Sequence, residues 1–194
     1  MKKIVFIFCL FFVTFTISAK TITNTVSFTT SSFSIANLNI FSIDSVIGAS
    51  YRLSFCPKDS GLYFGVDTSL GIPVSMATYT ELLGFRMSDS PRDLLSSIKA
   101  PIGMRWAGTD KSMGFFLGGG PAFFLLSNFG NRSTTALGIF GELGFETNKT
   151  SDVGFFISLQ SSNCALISNG SLLKNSFGNC TSLNIGCSWR RQKD

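Results

Sequence analysis

Six charged residues sit inside stretches that otherwise alternate apolar with small side chains: Arg52, Asp67, Lys99, Arg105, Glu142 and Arg190. Three kinds of chemistry suit such positions. The carboxylates could act as acid and base on a substrate, the charges could line a conducting path, or they could lock together as a buried plug. Acid–base work has the least support, because neither Asp67 nor Glu142 has a neighbour in sequence that would tune it as a general acid. The chain contains no His. This excludes Ser-His-Asp hydrolysis, Cys-His proteolysis and His-ligated metal catalysis. The plug is the favoured reading, since an unpaired buried charge costs several kcal/mol. A gated polar path is the alternative. Arg105 and Glu142 are expected at similar depth and so to pair, while Glu146 and Asp152 fall near one rim.

Of the 5 cysteines, Cys9 lies in the N-terminal apolar run, leaving Cys56, Cys164, Cys180 and Cys187. No CxxC or Cys/His spacing exists, so neither a metal nor a cofactor is expected. Cys164 and Cys180 flank a turn-rich segment of 180 − 164 − 1 = 15 residues. In an oxidising compartment they are the candidate disulfide, and closing that loop would contribute about 3 kcal/mol. Gly118-Gly119-Gly120 is no phosphate loop, because no Lys-Ser/Thr follows.

Strands must position these groups. From Ile47 the odd residues Ile47, Ala49, Tyr51, Leu53 and Phe55 alternate with Gly48, Ser50, Arg52 and Ser54. Leu62 to Ile72 puts Leu62, Phe64, Val66 and Leu70 opposite Tyr63, Gly65, Asp67 and Ser69. The same rhythm holds through 98–106, 137–145, 153–160 and 183–190. Period two with one apolar face means β-strands. Residues 112–126 are apolar at both parities, so their facing is open. Short polar turns fall at 57–61, 108–111 and 148–152, and longer polar loops are expected at 31–44, 77–96, 127–134 and 160–177. Three turns and four loops separate eight strands, the first at 21–30.

Met1-Lys2-Lys3 followed by an apolar run through Val13 and a small residue at Ala19 reads as a cleaved secretory leader, residues 1–19. Residues 20–194 then form one domain. Without Lys2 and Lys3 its balance is 14 − 11 = +3, and its bases form no stripe, so no nucleic-acid partner is expected. Charged residues are only 14% of the chain, where soluble domains carry about 25%. The reading is therefore an all-β chain, a closed eight-stranded antiparallel transmembrane β-barrel with short turns on one side and long loops on the other. The rival is a soluble secreted barrel around a ligand. It fits less well, because the polar faces carry mostly Gly and Ser with single charges, which suits a crowded interior.

The leader, the alternation and the turn–loop rhythm resemble the small eight-stranded outer-membrane barrels of the OmpA transmembrane-domain, OmpX and OmpW type. The likeness covers nearly all of residues 20–194 and rests on architecture. It implies a bacterial outer-membrane protein, monomeric, with membrane lipid around it and no enzymatic activity. Its long loops would take an extracellular surface ligand or act in adhesion, with a narrow pore as the alternative. Such barrels usually end on an aromatic residue; here Trp189 is followed by Arg190-Arg191-Gln192-Lys193-Asp194.

Overall fold

The computed structural model describes residues 21–37, 40–57, 60–80, 84–89, 94–108, 113–127, 134–147, 153–168 and 171–192. The expected leader and Asp152 lie outside them. The strands are β1 (Thr21–Asn37), β2 (Ile40–Cys56), β3 (Gly61–Thr80), β4 (Gly84–Ser88), β5 (Leu94–Lys99), β6 (Ile102–Ala107), β7 (Met113–Ser127), β8 (Thr134–Thr147), β9 (Val153–Ser168) and β10 (Ser171–Gln192).

All pairings are antiparallel, and the sheet closes through β1–β10 and β2–β3. β5 and β6 are two halves of one barrel strand, interrupted at Ala100-Pro101, and both pair with β3 and β7 in one register. Proline has no N–H to give the ladder. The break stays bonded nonetheless: Gly65 N donates to Pro101 O (2.9 Å) and Ala100 N donates to Pro121 O (3.1 Å). Counting β5/β6 once, the ring has the eight strands expected. β4 lies outside it and pairs with β3 beyond the rim.

Register fixes the tilt. Stepping across the ladder from Thr25 leads through Arg52, Asp67, Lys99, Ala122, Gly138, Cys164 and Gly178 to Ile35. One circuit therefore climbs 35 − 25 = 10 residues along β1. A stagger of this size on eight strands tilts each by about 40°. Each strand crossed rises about 1.25 residues, or roughly 3 Å, towards the loop end.

Three of the expected long loops are largely strand instead, and one of them, 77–96, holds the end of β3 to Thr80, all of β4 and the start of β5 at Leu94. Residues 31–44 carry β1 to Asn37 and start β2 at Ile40, and 160–177 carry β9 to Ser168 and start β10 at Ser171. Ser- and Asn-rich sequence reads as loop, but here most of these residues join a ladder with a neighbouring strand. Facing follows the alternation. Leu62, Leu70, Ile98, Ile102, Leu143 and Phe155 point outward and are exposed, whereas the opposite parity is buried. In β7 the open assignment resolves: Phe115, Leu117 and Phe123 face out, and Phe116, Ala122, Phe124 and Leu126 face in.

Candidate functional site

The six charged residues all point into the lumen and are buried. Arg52 and Glu142 form a bidentate pair, Nη1 to Oε2 at 2.7 Å and Nη2 to Oε1 at 2.9 Å. Tyr63 donates its hydroxyl to Glu142 Oε1 (2.6 Å). Gln160 ties the rest together. Its Nε2 donates to Asp67 Oδ2 (2.7 Å) and Glu142 Oε2 (3.2 Å), while its Oε1 accepts from Lys99 Nζ (2.5 Å). Two cations, two carboxylates and an amide are thus joined in one level network.

A second cluster sits nearer the turn end. Arg105 Nε pairs with Glu146 Oε1 at 2.5 Å, and Arg190 Nη2 reaches the same oxygen at 3.2 Å. The expected Arg105–Glu142 pair is therefore not made. The stagger supplies the reason: Arg105 pairs with Phe116 and that residue with Gly144. Two strand steps raise the level about 2.5 residues, so the residue level with Arg105 is Glu146, and Glu142 is about 10 Å higher.

Aromatic rings separate the clusters. The Arg52 guanidinium carbon lies 4.7 Å from the Phe116 ring centroid, 5.4 Å from that of Tyr63 and 5.9 Å from that of Phe156. Phe116 stacks on Phe156 at 5.7 Å. Cations over ring faces gain attraction when desolvated, which offsets part of the cost of burying Arg52. The glycine run has its use here: a Cβ at Gly118 would collide with the Tyr63 hydroxyl. A cavity of about 20 Å³ beside Arg52, Tyr63, Arg105 and Glu146 has room for roughly one water.

Above these charges the lumen turns largely apolar, with the buried carboxylate of Asp44 at its upper edge, register partner of Phe33. Phe33, Val46, Leu95, Phe124, Leu126, Ala136, Phe140 and Leu166 pack into one cluster with Cys164 and Cys180. Sequence reasoning missed this layer, because apolar residues of both parities in β7 hide which ones face in. It also missed Gln160 and Tyr63 as network members, although both lie at inward parity.

Cys164 and Cys180 are in that layer, below the loop tips, and both are free thiols. They are diagonal rather than opposite: Cys164 pairs with Gly178 and Cys180 with Ser162. Cys164 Sγ donates to Gly178 O at 3.3 Å. Cys56 is a buried thiol and Cys187 an exposed one on the outer face. Among the described residues no group of three or more potential ligands could hold a metal ion.

A closed eight-stranded ring with an apolar outer wall and an ion-paired interior has the fold of the small outer-membrane β-barrels. Two solved structures carry the comparison. The outer membrane protein OprG from Pseudomonas aeruginosa superposes with a TM-score of 0.52 and 13% identity, over 90% of this chain and 97% of that one. Neisserial surface protein A (NspA) gives 0.55 and 14%, over 88% and 97%. No protein-family model and no curated protein matches the sequence.

Proposed function

We propose that this chain is an integral outer-membrane barrel without enzymatic activity, exported by a cleaved leader of residues 1–19. It acts at the cell surface through its loop-end strands and loops, in binding, adhesion or a structural role. The observation that carries this reading is the filled lumen. Two ion-paired layers, a ring of aromatics and an apolar layer follow one another along the axis. An interior so occupied leaves the outward surfaces as the place for function. The outer wall supports the location, because Leu62, Leu70, Ile98, Met104, Leu117, Leu143 and Phe155 are exposed with no charge among them. The fold shared with OprG and NspA supports it too. A soluble carrier would instead need a roomy interior and a polar wall.

The test is fractionation of the mature protein. It is expected with outer membranes, and its gel mobility in detergent should shift on heating, because a closed barrel resists unfolding. Recovery as a soluble periplasmic monomer would contradict the reading.

A further inference from the structure

The outer wall is not uniformly apolar. On β7 the outward residues stay apolar from Met113 to Leu125, and on β3 from Leu62 to Val74 they are interrupted only by Thr68. At about 2.5 Å of height per residue these runs reach roughly 30 Å, the thickness of a bilayer core. On β9 the run is only Val153, Phe155, Ile157 and Leu159, and on β10 only Trp189, Cys187, Ile185 and Leu183. That is about 15 Å. Above it β9 presents Ser161 and Asn163, β10 presents Thr181 and Asn179, and β1 presents Thr30 and Ser32.

These residues are contiguous. Thr181 is the register partner of both Ser161 and Ser32, and Asn179 is that of Asn163. Asn179 Nδ2 donates to Asn163 Oδ1 (3.1 Å), and Thr181 Oγ1 donates to Asn179 Oδ1 (3.4 Å). Ser161 also pairs with Gly141, which carries no side chain there. All but Asn179 are exposed, and Asn179 is half-buried. At the same height the opposite wall carries Ile98, Leu70 and Phe123.

Resting on the membrane location proposed above, we propose that this face, β9–β10–β1, is where a second copy of the chain docks within the bilayer. Unsatisfied polar groups are costly in lipid, and small polar side chains let two backbones approach and bond. The patch carries no charge, so nothing in it selects an anionic headgroup, which would call for Lys or Arg. Asn, Ser and Thr each donate and accept, so the surface is complementary to itself, as a two-fold contact requires. The alternative is the monomer expected from sequence.

The experiment uses the mature protein in lipid vesicles at low protein-to-lipid ratio, in a Cys187→Ala background that removes the exposed thiol. Thr181→Cys on this face and Ile98→Cys on the opposite wall, at nearly the same height, are treated with a short bifunctional thiol reagent. The expected result is a cross-linked dimer from Thr181→Cys alone, lost when Asn163→Leu and Asn179→Leu are added. Equal cross-linking at both positions, or at neither, overturns the dimer. So does a monomer whose patch is covered by lipid, read by mass in native membrane discs. Flotation of the protein with the vesicles is scored separately, so failure of the membrane location is not mistaken for failure of the contact.

Discussion

Arg52 on β2 and Glu142 on β8 stand on opposite sides of the ring and meet across the lumen, joined at 2.7 and 2.9 Å. Their sequence separation is 90 residues, and the stagger brings them level. Breaking one partner of a buried pair leaves an uncompensated charge, at a cost of about 3–5 kcal/mol. Arg52→Ala and Glu142→Ala should each lower barrel stability by about that much, and Arg52→Met with Glu142→Leu by much less. Urea titration of refolded barrels in detergent reads both. Single variants as stable as the parent would mean that water already fills this level.

Glu146 serves two guanidiniums, Arg105 at 2.5 Å and Arg190 at 3.2 Å. Glu146→Gln removes the shared charge and leaves two cations facing each other. Its destabilisation should exceed that of Arg190→Gln, which leaves the shorter Arg105 contact in place. The same denaturant series decides the order. Equal effects would show that the Arg105 contact adds nothing beyond that of Arg190.

Facing was legible in the sequence, because period two needs no knowledge of neighbours. Ile47 and Arg52 already stand on opposite faces, and so they do in the barrel. Depth was not legible. Arg105 and Glu142 look level when counted from their turns, yet strand tilt lifts β8 past β6, so that Arg105 meets Glu146. The apolar layer was hidden for another reason: Phe124 and Phe123 look alike in sequence, and only pairing with Ala136 and Leu137 shows which lies inside. Strand length was underestimated where Ser and Asn dominate, as in 31–37 of β1, since ladder bonds there come from β10 and β2 rather than from side-chain propensity.

Cys164 and Cys180 are buried free thiols two pairs apart in register. Native protein should therefore leave both unlabelled by a polar thiol reagent. Unfolding without reductant should then expose both to alkylation, read by peptide mass. Labelling only after reduction would establish the bridge that their sequence positions suggested.

The central claim is that the lumen is sealed. Purified, refolded protein in a planar bilayer should produce no steady unit conductance, because the Phe33–Phe124–Phe140 layer and the Arg52–Glu142 pair fill the axis in series. Reproducible open steps from the parent protein would contradict the account and make the charged lining a conducting path.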